Sequence, residues 1–347
     1  VSRSGALALV ESPAQLLNVI ELGFQDAELG AMPIAVLAPT AGPTRTQLRA
    51  TMALARQAGH VVTWREPRIG GASVARTIRA LAGELTGVER LVVGDPFSGV
   101  LQVIISISRS ANVTIVDDGT ATLEFARQWT TGQHLSRWHQ VATPRQRRHI
   151  ATLARDQIAG SARRRLSPSV GSQLRLFTCM PIELPKVEIL RNDYAWLRDR
   201  YGSPEIRPGV DLVGTSLVES GVLQADGYLS GVESLIATHR VDRYFAHRKE
   251  ADWKLDLVAR MGVEIVRPDL PLELVARRGP TSRRILSFAS TVVHTLPVVL
   301  AGTGVEVAVC EIGSGWYSPL VNLHADQFLD NVSESARRSH GLAAVAS

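Results

Sequence analysis

The stretch 33–64, PIAVLAPTAGPTRTQLRATMALARQAGHVVTW, decides the fold. It opens on an apolar run at 33–38 and closes on another at 60–64, with a helical pattern over 44–58 between them. Strand–helix–strand alternation requires parallel pairing through right-handed crossovers. Apolar, β-branched strands imply a sheet buried on both faces. The same unit recurs in the first half, with strands predicted at 6–10, 90–94 and 112–116 and a helix at 73–83.

The alternation restarts later, with strands at 211–214, 242–246, 263–266, 284–288 and 305–309 and helices at 226–237 and 250–261. The tail 321–339 fits a last helix with room to cross back to the first domain. Two successive α/β halves predict two Rossmann-like domains facing across a cleft, over 1–178 and 185–347, with a linker near 170–190.

Composition narrows the class. Of 347 residues, 45% are apolar and 20% charged, as in a globular protein, and aromatics are only 5%. The net charge is +5 and nearly all the base is arginine, whose planar fork suits phosphate and carboxylate. Cys179 and Cys310 lie far apart and read as reduced core thiols of a cytoplasmic protein. No segment approaches the ~20 apolar residues of a spanning helix, so any membrane contact is peripheral, at the inner face.

Residues 127–170 are rich in arginine, from Arg127 and Arg137 through Arg145, Arg147, Arg148 and Arg155 to Arg163, Arg164 and Arg165, with His134, His139 and His149. The end of this stretch, SARRRLSPSVGS, reads as a loop. Charge runs are usually solvated helical faces. The sharper reading is a basic patch over 127–165 for an anionic acceptor or lipid headgroups. Without interleaved aromatics it does not read as a nucleic-acid surface.

Ligands of open parallel sheets bind beyond the carboxyl ends of the strands. The polar residues there are Glu11, Ser12 and Gln15 after the first strand, Asp95 after the fourth, and Asp117-Asp118-Gly119 after the fifth. In the second half they are Thr215 and Ser216, then His247 and Arg248, then Ser290 and Thr291. Taken singly, Asp117-Asp118 reads as a strand-end turn with a helix cap, His247 as a satisfied histidine, and Ser290-Thr291 as a cap. Taken together they offer a carboxylate base and a phosphate site of hydroxyls, helix amides and a fixed cation. P-loop, dinucleotide, GxSxG and metal-ligand spacings are all missing from the sequence.

Four segments carry a resemblance. LALVESPAQLLNVIE at 7–21 resembles the opening of bacterial polysialyltransferases and their relatives. VDDGTATLEF at 116–125 is similar to the D/E-D/E-G motif of bacterial sialyltransferases, RYFAHRKE at 243–250 to their HP segment, and LSFASTVVHTL at 286–296 to their S-S/T segment. The order and spacing span most of the chain. Arg248 stands where the family carries proline, replacing a rigid φ with a cation.

The resemblance implies a GT-B fold, with the acidic motif in an acceptor-side domain and CMP bound by the second domain. It implies an inverting transfer of a sialic or related nonulosonic acid from a CMP-activated donor to a glycan or glycolipid, with no metal and no other cofactor. The base is then Asp117 or Asp118, and His247, Ser290 and Thr291 meet the CMP phosphate. Gly119, Thr215, Ser216 and Arg248 fall on the donor side, and Glu11, Ser12, Gln15 and Asp95 line the substrate cleft. The alternatives are another nucleotide sugar (CMP-Kdo, CMP-Kdn or a UDP-sugar), an epimerase, or a catalytically dead carbohydrate-binding relative.

Overall fold

The structure is a computed structural model, and it describes residues 5–133, 135, 150–167, 169–319 and 323–347. The chain divides into two compact units, Val1–Trp196 and Leu197–Ser347. Each is built on a fully parallel sheet with helical crossovers.

In the first unit the strands are β1 (Ala6–Val10), β2 (Pro33–Leu37), β3 (Val61–Arg65), β4 (Arg90–Val93), β5 (Asn112–Val116), β6 (Gln173–Thr178) and β7 (Glu188–Arg191). Among the described residues the sheet order is β3-β2-β1-β4-β5-β6-β7. The helices are α1 (Pro13–Gln25), α2 (Gly42–Gln57), α3 (Gly71–Glu84), α4 (Gly99–Ile107), α5 (Thr120–Thr130) and α6 (Ile150–Leu166). β1 is buried along its whole length, and Leu9, Leu91, Leu101, Ile104, Phe125 and Leu176 form part of one core between sheet and helices. Of the apolar strands predicted from sequence, β1, β2, β4 and β5 are inner strands buried along most of their length, whereas β3 lies at the sheet edge with Val61 exposed.

In the second unit α7 (Ala195–Tyr201) leads from the boundary into β8 (Ile206–Val213). There follow α8 (Ala225–His239), β9 (Val241–Phe245), α9 (Asp252–Arg260), β10 (Glu264–Val266), α10 (Leu272–Arg278), β11 (Thr281–Phe288), α11 (Val292–Val299), β12 (Glu306–Cys310), α12 (Leu323–His340) and β13 (Ala343–Val345). The sheet order is β10-β9-β8-β11-β12-β13. A buried knot sets the register of its centre. Asp211 on β8 takes two bonds of 2.8 Å from the Arg243 guanidinium on β9, and 2.7 and 3.1 Å bonds from the hydroxyl and amide of Ser282 on β11.

Three expectations are corrected. The domain boundary falls at Trp196/Leu197, not between 178 and 185, and the supposed linker holds β6 and β7 of the first sheet. β6 was hidden because its outward positions are Gln173 and Arg175, the latter ion-paired to Glu188 at 3.2 Å. The SARRRL segment ends α6 instead of forming a loop. Arginine is a good helix former, and Ala162 and Leu166 of this turn are buried. The last helix stays with the second unit, packing on α11 before β13 pairs with β12.

Much of the basic stretch is structural where it is described. Arg163 donates to the Gln128 and Trp129 carbonyls at the end of α5, and Arg165 to the Ser108 and Ser110 carbonyls after α4. Cations at helix C-termini satisfy orphan carbonyls and complement the dipole. Arg127 pairs with Glu124. Arg155 and Arg164 are exposed, while Arg137, Arg145, Arg147, Arg148, His134, His139 and His149 lie outside the described residues. Both cysteines are buried, and neither forms a disulfide.

Candidate functional site

In each sheet the strand order reverses once, between β1 and β4 in the first and between β8 and β11 in the second. A crevice opens beyond the strand ends at such a switch point. The residues singled out from sequence follow the strands at and beside these two points.

In the first unit, Ser12 is the N-cap of α1, with Pro13 in its first turn, and its Oγ accepts from the Gln15 amide at 3.2 Å. Proline suits this place because its missing N–H would be unpaired there anyway. Gln15 turns back so that its Oε1 accepts from the Glu11 amide at 2.7 Å. The space it fills explains Gly94 after β4, where a Cβ would lie 2.1 Å from Gln15 Oε1. Glu11 sits at the switch point, its Oε1 accepting from Arg68 at 2.7 Å and Ser98 at 2.9 Å. Burial pushes the Glu11 carboxyl up; Arg68 opposes the rise and Asp95 adds to it. Asp95 is buried and accepts from the Phe97 amide at 2.9 Å, closing its own turn.

The turn after β5 separates its two acids. Asp117 is 2% exposed. Its Oδ1 accepts from the Gly119 amide and the Thr122 hydroxyl, each at 2.7 Å, and its Oδ2 from the Thr178 hydroxyl at 2.6 Å. Burial raises its pKa, against these bonds and one from the Cys179 amide. Both oxygens are thus committed to holding the turn against β6. Asp118, the next residue, is partly exposed, and its Oδ1 accepts from Ser12 Oγ at 3.0 Å. Gly119 takes a positive φ of 72°, the conformation that lets the turn swing into α5.

Sequence reasoning missed a buried polar stripe on α1. Asn18 donates to the Asp117 carbonyl at 2.8 Å and accepts from Asn192 at 2.9 Å, while Glu21 accepts from the Trp196 amide at 2.8 Å. The signal was present: Gln15, Asn18 and Glu21 recur every third residue in an otherwise apolar helix.

In the second unit, His247 follows β9 and is partly buried. The Lys249 amide donates to its Nδ1 at 3.2 Å, leaving the ring proton on Nε2. Burial, then Arg248, Lys249 and Lys254, push its pKa down to about 3. His247 is therefore a neutral N–H donor near neutral pH. Arg248 is partly buried beside it.

Beneath this loop lies a network that the sequence did not reveal. Lys254 is 0% exposed, and its Nζ donates to the Thr215 carbonyl at 2.8 Å and approaches Glu250 at 2.9 Å and Glu219 at 3.0 Å. Glu250 also accepts from Tyr244 at 2.6 Å and from the His247 amide, and Tyr244 meets Tyr228 at 2.6 Å. The network ties the loop after β8 to the loop after β9. It demands Gly214, where a Cβ would lie 2.4 Å from both Glu250 Oε2 and the Tyr244 hydroxyl.

Thr215 is buried and contributes its carbonyl to that tie; Ser216 is partly buried. Ser290 and Thr291 are partly buried just before α11. Thr291 occupies the N-cap position in α-helical backbone, and its side chain makes no capping bond. The capping reading of this pair therefore does not hold. Among the described residues, no three His, Cys, Asp or Glu side chains are grouped to hold a metal. No described helix is long and apolar enough to cross a membrane.

No protein-family model matches the chain, and no curated protein matches its sequence. Solved structures do. An α/β-galactoside α-2,3-sialyltransferase from the luminous marine bacterium Photobacterium phosphoreum is similar with a TM-score of 0.53 and 11% identity, over 98% of this chain and 97% of that one. A Listeria monocytogenes protein described as a UDP-N-acetylglucosamine 2-epimerase is similar with a TM-score of 0.54 and 10% identity, over 97% and 90% of the two chains. At such identity the likeness carries the fold: two Rossmann-like domains of the GT-B type.

Proposed function

We propose that the protein is an inverting, metal-independent glycosyltransferase that moves a sialic or related nonulosonic acid from a CMP-activated donor to a hydroxyl of a surface glycan or glycolipid. The observation that carries this reading is the division of labour in the turn after β5. Asp117 is buried with both oxygens bonded, and it holds in place a partly exposed neighbour, Asp118. That arrangement suits a fixed support beside an accessible base, and it favours Asp118 as the base.

In the proposed reaction Asp118 takes the proton of the acceptor hydroxyl as its oxygen attacks the anomeric carbon, opposite the nucleotide. The bond from that carbon to the phosphate oxygen breaks through an oxocarbenium-like state, and its electron pair leaves with CMP. His247, neutral with its proton on Nε2, donates to the departing phosphate. The Ser290 and Thr291 hydroxyls, the N-terminus of α11 and the Arg248 charge add to the anion site. A CMP-sugar carries one phosphate and one carboxylate, a load that arginine, hydroxyls and helix amides can balance without a metal. A glycolipid acceptor would bring the protein to the cytoplasmic face of a membrane, and the exposed Arg155 and Arg164 of the basic region suit that contact.

The test is incubation with CMP-sialic acid and a panel of galactoside and sialoside acceptors, following CMP release. Asp118→Asn is expected to lower turnover about 10²–10⁴-fold. No release above spontaneous hydrolysis across the panel would overturn the proposal. The equal likeness to the Listeria protein supports one alternative, an enzyme of UDP-sugars. Thermal shifts with CMP, UDP and GDP separate the two, and stabilisation by UDP alone would favour the alternative.

A further inference from the structure

We infer that Ser12 is a positioning residue for the base, a role separate from its capping of α1; the inference rests on the reading of Asp118 as that base. An N-cap needs only an oxygen lone pair, and Ser12 Oγ supplies one to the Gln15 amide. A serine hydroxyl also carries a single proton. With a backbone N–H already donating to this oxygen, the proton goes to Asp118 Oδ1, 3.0 Å away and 106 residues along the chain. The second bond is not required by the cap.

It has two consequences for a carboxylate base. It fixes the rotation of the Asp118 carboxylate, so that this partly exposed group presents itself in one orientation. It also favours the ionised form, since a donor to a carboxylate stabilises the charge, and the positive end of α1 acts in the same sense. The short side chain of Ser12, anchored by Pro13 and the first turn of α1, is a rigid donor. The titratable and charged groups on the neighbouring strand ends are Asp117 on the same turn, Glu11 after β1 with its partner Arg68 after β3, and Asp95 after β4.

Glycine is nearly as good an N-cap as serine, alanine is not, and threonine keeps the hydroxyl. These three substitutions separate capping from positioning. With CMP-sialic acid as donor, Ser12→Gly and Ser12→Ala are expected to lower kcat about 10- to 100-fold, the worth of one hydrogen bond to a charged group. The donor KM stays near wild type, and the acid limb of the kcat profile moves up by about one pH unit. Ser12→Thr restores both. Ser12→Gly keeps the wild-type melting temperature, so its loss of rate is not a loss of fold.

A Ser12→Gly enzyme with wild-type kcat and an unmoved acid limb would reduce Ser12 to a cap and overturn the inference while Asp118 stands. Full turnover by Asp118→Asn would remove the base itself, and the inference with it.

Discussion

Lys254→Met removes a buried ammonium from the second unit, and its effect can be worked out from the partners it leaves behind. Lys254 is 0% exposed and meets Glu250, Glu219 and the Thr215 carbonyl within 3.0 Å. Methionine fills similar volume, so cavity formation is a minor part of the cost. The major part is Glu250, whose side chain is 0% exposed and loses its cation. Removing one partner of a buried ion pair costs about 3–5 kcal/mol. Each kcal/mol moves the melting temperature of a domain of this size by about 2–4 °C, so the second unit is expected to melt about 6–20 °C earlier at pH 8.

The pH dependence has a definite sign. Burial already raises the Glu250 pKa above its ordinary value, and Lys254 is the main influence that lowers it. Without Lys254 it rises further. Between the ordinary value and the folded one, the native state holds more protons than the unfolded chain, so stability falls as pH rises. The deficit is therefore larger at pH 8 than at pH 5, and Lys254→Met/Glu250→Gln should recover most of it. Calorimetry at the two pH values reads both effects. A deficit under about 1 kcal/mol, the range of exposed pairs, or one equal at both pH values, would refute the reasoning.

Other outcomes follow from the same geometry. Asp117→Asn is expected to cost about 1–3 kcal/mol by disturbing a fully bonded carboxylate, whereas Asp118→Asn leaves the denaturation midpoint near wild type; urea titration separates the two. Gly214→Ala drives a Cβ into Glu250 and Tyr244, at a cost of about 1–3 kcal/mol, and should weaken CMP binding measured by calorimetry. His247, with its pKa held down to about 3, should show no imidazole titration by NMR between pH 5 and pH 8. The unfolded chain takes up that proton below the ordinary value near 6.5, so His247 contributes stability above 6.5 that fades as pH falls toward 3. CMP binding, by adding a phosphate, should raise the His247 pKa.

The alternation in 33–64 and its repeats determined the fold class, because a parallel sheet buried on both faces leaves apolar strands spaced by helices. The ten strands predicted from sequence are all present in the structure. The three it missed, β6, β7 and β13, lie away from the two switch points; β6 and β7 are interrupted by polar and charged residues, and β13 is only three residues long. The polar residues at the strand ends were legible too, since parallel strands all deliver their next residue to the same edge of the sheet.

The sequence could not rank those residues. Asp117 and Asp118 are chemically identical neighbours in it. Only the strand pairing that brings Thr178 to one, and the helix cap that brings Ser12 to the other, makes one a buried strut and leaves the other accessible. In the same way Lys254 reads as an ordinary helix lysine four residues after Glu250 until β8 and β9 pair, bring Glu219 and the Thr215 carbonyl to it and bury it. Local pattern specifies which backbone forms, because it acts through neighbours in the chain. Burial and charge pairing depend on groups tens of residues apart, and tertiary structure alone decides them.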